Sequence, residues 1–280
     1  TASSSWIACW GHWLTATGSA SMLHHESRGA GPDLVMVHGW GMHSGVWSDW
    51  ADSLATRFRV HLIDLPGHGR SDYSTGSGLD DWSAALAEVA PPGAWWLGWS
   101  LGGLVALNAA RLYPQMLRGL LLVASTPRFV TAQDWPCAVD AQVFEQFAGQ
   151  LQQSVERTLV RFLSLQVRGA DGGAELLRRL RTALKEQPRP SPEALDAGLQ
   201  LLRNSDLRAT LSALDIVPHW LFGQRDTLVP ASVGSRLPGL QAVIEGAGHA
   251  PFLSRPQLCS ARVTDWVMQA ATASGRHASG

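Results

Sequence analysis

Charge is scarce in this sequence: 16% of its 280 residues are Asp, Glu, Lys or Arg, and the formal net charge is −1. A chain so poor in charge and 45% hydrophobic is not disordered. The near-neutral balance also excludes the basic surface expected of a nucleic-acid binder. Cysteine is scarcer still. Cys9, Cys137 and Cys259 are far apart and form no CxxC pair, which excludes a disulfide frame or a cysteine metal site. They read as free thiols of a reducing, cytoplasmic compartment. No apolar run approaches the ~20 residues that span a bilayer. Basic residues are missing from the start as well, because no Lys or Arg precedes "WIACWGHWL", as a secretory signal would require. Residues 1–21 therefore read as a non-native or disordered extension, and residues 272–280 as a flexible tail.

Tryptophan and glycine are plentiful instead, at 13 and 28 residues. So much tryptophan needs a large core, with a few rings left to line an apolar pocket. From residue 22 onward, short apolar runs alternate with amphipathic stretches. The runs 33–39, 59–67, 94–100, 117–125, 217–223 and 240–246 end in Gly, Ser or Pro, as strands buried on both faces do. Helical patterns fill 46–57, 79–90, 101–113, 230–237 and 256–271. This alternation predicts an α/β fold, a doubly wound and mainly parallel sheet with functional loops at the carboxyl ends of its strands. Residues 127–210 break the rhythm with several helical patterns and no convincing strand. They predict a helical cap inserted into a core formed by 22–126 and 211–271.

At the junction of a strand run and a helical pattern stands "GWSLG", which sets Ser100 between glycines. A G-x-S-x-G alone arises by chance in a glycine-rich chain, and Ser100 could simply cap the helix. In a strand–turn–helix setting the same residues hold a nucleophile at the apex of a tight turn. A serine hydroxyl needs a base, and in this architecture the acid and then the histidine follow it along the chain. Asp226 in "FGQRDTLVP" and His249 in "EGAGHAPF" each stand just past a strand end, on the sheet edge that carries Ser100. His249 would take the serine proton while Asp226 orients the imidazole. Asp206 and Asp215 are rival acids, but they precede the strand that would present them. His38 and His68 also stand at strand ends, yet they come before the serine and read as loop-shaping residues. The oxyanion donors expected are the backbone N–H groups of Leu101, which follows the nucleophile, and of Trp40 in "HGWG".

Together, "HGWG", "DLPGHGRSD", "GWSLGGLVA", "FGQRDTLVP" and "GHAPF" make residues 22–271 resemble the α/β-hydrolase superfamily. With "ERTLVRFLSLQ" (156–166), the chain more narrowly resembles the pimeloyl-[acyl-carrier protein] methyl ester esterases of biotin synthesis. The resemblance implies a serine carboxylesterase without cofactor or metal, cleaving the methyl ester of a carrier-bound medium-chain acyl group through an acyl-enzyme. It implies that Trp40, Leu101, His249 and the segment Phe162, Leu163, Ser164, Leu165 and Gln166 line the substrate site. It also implies that Arg157, Arg161 and Arg178 dock the acidic acyl-carrier protein. The sequence departs from the family at Ala174, where another arginine is expected; Arg168 and Arg179 are the substitutes at hand.

Helical periodicity bears on that docking surface without the resemblance. On a wheel, Val155, Leu159, Phe162 and Leu163 share one side, and Arg157, Arg161 and Arg168 the other. Residues 157–189 carry eight Lys or Arg side chains and three acids, on a chain whose total charge is −1. Such a patch suits an acidic partner, although an ordinary solvated helix face looks the same. A broad esterase for free short-chain esters, a C–C-bond or lactone hydrolase, and a ligand-binding homologue without turnover remain open at this level. The chain is expected to act as a monomer, with no nucleic-acid or membrane partner.

Overall fold

The computed structural model of the protein describes residues 23–73, 76 and 78–277; the extension 1–21 and residues 278–280 lie outside the described residues. Among the described residues seven strands form one sheet: β1 (His25–Arg28), β2 (Asp33–Val37), β3 (Arg59–Ile63), β4 (Ala94–Trp99), β5 (Leu117–Val123), β6 (His219–Gly223) and β7 (Gln241–Ile244). Their order is β1-β3-β2-β4-β5-β6-β7. β1 is antiparallel to β3, and the other pairings are parallel. The chain steps outward from β2 to β3, then returns past β2 to β4. The carboxyl ends of β2 and β4 therefore flank the point where the order reverses, which is where a doubly wound sheet opens a crevice.

Helices α1 (Ser48–Ala55), α2 (Leu79–Val89) and α3 (Leu101–Leu112) connect the first strands. Between β5 and β6 come α4 (Ala141–Gln153), α5 (Val155–Gln166), α6 (Gly173–Ala183), α7 (Pro192–Asn204) and α8 (Arg208–Leu211). The short α9 (Pro251–Ser254) and the long α10 (Pro256–His277) end the described chain. α10 thus continues past residue 271, through an Ala-rich stretch with no helix breaker until Gly275. The segment 230–237 forms only a 3-10 helix over Ala231–Arg236, and the Gln241 side-chain amide donates to two of its carbonyls, Gly234 (2.6 Å) and Leu237 (3.0 Å).

Alternation along the strands divides the interior in two. Val35, Val37 and Trp96 pack with residues of α2 and α3, while Leu34, Met36, Trp95 and Leu97 pack with α1 and α10. The helices between β5 and β6 join the first core through Phe144 and Phe147 of α4, Phe162 of α5 and Leu195 of α7. Each such buried side chain is worth roughly 1.5–3 kcal/mol relative to exposure. Side-chain caps set where the helices begin: Asp140 accepts from the Gln142 N–H, Ser154 from that of Arg157 and Ser191 from that of Ala194. Polar bonds then tie the layer down. The Trp40 indole N–H donates to the Leu195 carbonyl (2.8 Å), His43 Nε2 to that of Ala183 (2.7 Å) and Arg179 to that of Leu253 (2.8 Å).

Beyond β2 and β3 the buried residues His38, Asp64 and His68 bind loops. His38 Nδ1 donates to the Gly39 carbonyl (2.9 Å), and its Nε2 accepts from the Leu65 N–H (2.9 Å). Asp64 accepts from the amides of Ser44 (2.6 Å) and Arg70 (3.0 Å), while His68 Nδ1 donates to the Pro66 carbonyl (2.9 Å). Burial pushes the His38 ring down to about 3 and the His68 ring to about 4, so both are neutral. In the unfolded chain both rings protonate near 6.5. Their neutral burial therefore favours the fold fully above that value and progressively less as pH falls through it toward the folded values. Urea titrations between about pH 7.5 and about pH 5 should show stability falling with acidity, each ring contributing up to about 1.4 kcal/mol per pH unit. His68→Asn, whose amide can still donate to Pro66, should flatten that slope. An unchanged slope would mean that the ring takes up no proton on unfolding in this range.

Candidate active site

Ser100 follows an entirely buried strand and stands at φ 54°, ψ −118°. A non-glycine residue adopts such a positive φ at a cost on the order of 1–3 kcal/mol, so the surroundings must impose it. The Ser100 N–H donates to the Val123 carbonyl on β5 (3.0 Å). Its own carbonyl accepts from the Gly103 N–H (3.0 Å) and from the Ser125 hydroxyl (2.9 Å). Residue 102 has to be glycine, because a Cβ there would lie 2.3 Å from the Val37 carbonyl oxygen and 2.4 Å from that of His38. α3 consequently starts hard against the end of β2, and the Ser100 side chain points into the crevice.

The loops after β6 and β7 bring Asp226 and His249 to the same place. Asp226 is buried, and its Oδ1 accepts from the amides of Leu228 (2.8 Å) and Val229 (3.0 Å). Its Oδ2 lies 2.8 Å from His249 Nδ1, and His249 Nε2 lies 2.9 Å from Ser100 Oγ. A carboxylate can only accept, so Nδ1 carries the proton and the Nε2 lone pair faces the serine hydroxyl. His249 is fixed at both backbone ends: its N–H donates to the Gln166 carbonyl (3.0 Å), and its carbonyl accepts from the Trp99 indole (2.7 Å). The rival acids lie elsewhere. Asp206 pairs with Arg208 and Arg128, which hold its carboxyl well below the usual range, and Asp215 is exposed.

The loop after β2 closes the other side of Ser100, with a Cβ on Gly39 falling 3.2 Å from the Ser100 Cβ. Leu101 opens α3, so its N–H is among those that a helix start leaves without an intrahelical acceptor. Trp40 is fully buried and meets Phe162 edge to face at 4.8 Å between ring centroids.

A narrow apolar pocket reaches Ser100 and His249. Its wall is apolar: Val143, Phe144 and Phe147 from α4, Phe162 from α5, Leu202 from α7, and Phe129, Val139 and Leu228 from loops. Of the segment 162–166, only Phe162 lines this cavity. Leu163 packs into the opposite core, Ser164 donates to the Val160 carbonyl, Leu165 is half-buried, and Gln166 contributes the backbone carbonyl under His249. Sequence reading missed the α4 wall. Its signal was the spacing of Phe144, Phe147 and Leu151, which marks a buried helix face but not what that face encloses.

Arg157, Arg161 and Arg168 are exposed, opposite the buried Leu159, Phe162 and Leu163, as the wheel requires. The Arg161 guanidinium carbon stands 5.4 Å from the centroid of the Phe147 ring. Arg178 is engaged by Glu175 through two hydrogen bonds (2.8 and 2.6 Å). Arg179 reaches Leu253 and Asp49, which makes it a strut between α6 and the body. Ala174 is exposed on α6. Among the described residues no helix is long and apolar enough to cross a membrane.

The description "Alpha/beta hydrolase family" belongs to the family model that matches residues 34–262. The pimeloyl-[acyl-carrier protein] methyl ester esterase of Xanthomonas axonopodis pv. citri (strain 306) is 47% identical over 237 residues, 82% of this chain and 93% of that protein. The protein of the same name from Stenotrophomonas maltophilia (strain R551-3) is 44% identical over 259 residues, 90% of this chain and 99% of that one. Among solved structures, the esterase EaEST from Exiguobacterium antarcticum superposes with a TM-score of 0.78 at 18% identity, covering 89% of this chain and 96% of its own. That likeness concerns the fold alone. With its parallel sheet, its serine turn and relatives aligned over almost their whole length, the chain belongs to the alpha/beta hydrolase family.

Proposed function

We propose that this protein is a serine carboxylesterase that removes the methyl ester from a pimeloyl chain borne on an acyl-carrier protein, a step of biotin synthesis. The hydrogen-bonded chain Asp226–His249–Ser100, at 2.8 and 2.9 Å, carries the chemical half of the reading. The names of the relatives at 44–47% identity support the substrate half. Ser100 Oγ attacks the ester carbonyl as His249 Nε2 takes its proton, and Asp226 stabilises the resulting imidazolium. The N–H groups of Leu101 and Trp40 receive the oxyanion. Collapse of the tetrahedral adduct expels methanol, protonated by His249. Water activated by the same ring then frees the acid from Ser100. No step calls for a metal or cofactor.

The inserted helices act as the cap in this reading. Their apolar inner wall suits the methylene arm of the substrate, and the exposed Arg157, Arg161 and Arg168 suit an acidic carrier. Arg178 contributes less because Glu175 already occupies it. A cytoplasmic location belongs to the same proposal and is supported by free thiols at Cys137 and Cys259.

Ser100→Ala should stay folded and lose turnover of a small p-nitrophenyl ester by on the order of 10⁵-fold. A fluorophosphonate probe should label Ser100 and fail on the variant; near-normal turnover by the variant would remove the mechanism. Asp226→Asn should cost on the order of 10⁴-fold by favouring the wrong imidazole tautomer. Asp206→Asn, remote from the site, should leave kcat close to that of the wild type.

The carrier half needs its own measurement. Replacing Arg157 and Arg161 with Glu adds repulsion as well as removing attraction. The ratio of kcat/KM on the carrier-borne methyl ester to that on the small ester should fall by more than about tenfold. Added salt should shrink the same ratio in the wild type. An unchanged ratio would leave a broad esterase with a solvated basic face.

A further inference from the structure

Gly198 stands in the interior of α7, where glycine is less favourable than alanine. Nothing in the helix itself asks for it, since α7 is regular there. The reason lies across the packing interface. A Cβ on Gly198 would lie 2.7 Å from Trp40 Cδ1, 3.2 Å from Trp40 Nε1 and 3.1 Å from Leu101 Cδ2. These two neighbours are the residues whose backbone N–H groups receive the oxyanion in the reading above. Three residues earlier on the same helix, the Leu195 carbonyl accepts the Trp40 indole N–H (2.8 Å).

Trp40 therefore has little freedom. Its indole is fully buried, anchored at Nε1 by Leu195, seated against the bare backbone of Gly198, and met edge to face by Phe162. α7 is also pinned where it begins, because the Ser191 N–H donates to the Gly67 carbonyl (2.8 Å). With the helix held and the ring confined, displacement of the indole has to pass into the Trp40 backbone. The Leu101 side chain faces the same helix position.

We infer that α7 is a positioning element of the oxyanion hole, in which Gly198 and the Leu195 carbonyl set where the Trp40 and Leu101 amides point. The helical layer then supports the transition state as well as covering the substrate. This inference rests on the serine-esterase reading and adds to it residues that touch no reacting atom. Their effect should fall on groups that matter more in the transition state than in substrate binding.

The test uses the full chain with Gly198→Ala and, separately, Trp40→Phe, which keeps a ring against Phe162 but removes the donor to Leu195. The readouts are kcat and KM on p-nitrophenyl butyrate, the Ki of a trifluoromethyl ketone whose adduct with the serine carries an oxyanion, and thermal unfolding. Gly198→Ala should lower kcat roughly 10- to 100-fold, less than outright removal of an oxyanion donor. KM should stay within about twofold, and the trifluoromethyl ketone should weaken by the same factor as kcat/KM. Trp40→Phe should give the same pattern at smaller amplitude. A merely structural role would lower the unfolding temperature without this parallel loss. A folded Gly198→Ala with wild-type kcat and Ki, or a loss carried by KM, overturns the inference. If Gly198→Ala fails to fold, Trp40→Phe decides by the same criteria. Failure of the underlying reading looks different: the wild type would then escape covalent capture by the ketone, and Ser100→Ala would keep its turnover.

Discussion

The contact between Gly102 and the last carbonyls of β2 governs the geometry around the site. It lets α3, which follows β4, start directly above the end of the neighbouring strand β2. Ser100, caught between β4 and α3, has no relaxed backbone conformation available, and its positive φ is the residue of that constraint. Strain of this kind persists only where several bonds overdetermine it. Here the Val123 carbonyl, the Gly103 amide and the Ser125 hydroxyl all bind the one peptide unit. The same adjacency brings the loop after β2 to the serine. Ser100 and the loop that carries Trp40 are thus brought together by one packing contact between the start of α3 and the end of β2.

Electrostatics follow from the burial this packing creates. Asp226, His249 and Ser100 are all buried, yet each polar atom in the chain linking them has a partner. A carboxylate that accepts two amides and a ring N–H can sit away from water, whereas an unpartnered one could not. The second buried set, His38, Asp64 and His68, meets the same requirement differently, with neutral rings and a carboxylate bound by amides. It fixes the loops that follow β2 and β3, and the first of these runs on into Trp40. Polar burial on this scale costs stability unless the geometry is held, which is the role of the tryptophan-rich packing around it.

Much of this was legible in the sequence because strand ends and punctuation residues carry the information. The runs ending at Gly39, Ser100, Gly223 and Gly246 became parallel strands whose carboxyl ends share one edge. Ser100, Asp226 and His249 could therefore be brought together from their order alone. Other features depend on contacts between distant segments and leave no local pattern. Phe144 and Phe147 read as any buried helix face, and nothing in α4 says that the space behind them reaches Ser100. The segment 162–166 shows the limit from the other direction. Helical geometry turns Phe162 to the cavity and its neighbour Leu163 to the opposite core, so adjacency in sequence separates them in space. The charges of Arg178 and Arg179 are equally visible in the sequence, but their partners Glu175 and Asp49 are a matter of folding.

The division between an apolar interior and a cationic exterior bears on both ends of the proposed reaction. The cavity wall beside Ser100 and His249 is made of Phe, Val and Leu side chains, and the exposed Arg157 and Arg161 stand on the face of α5 opposite Leu159, Phe162 and Leu163. A methyl ester enters such a cavity without shedding a charge. In the proposed reaction its hydrolysis creates a carboxylate in the same place, where its partners are His249 and the oxyanion donors rather than the wall. Holding that ion in an apolar wall would cost several kcal/mol by any reasonable transfer scale. The chemistry thus converts a group that the apolar wall accepts into one that only the polar end of the pocket can hold.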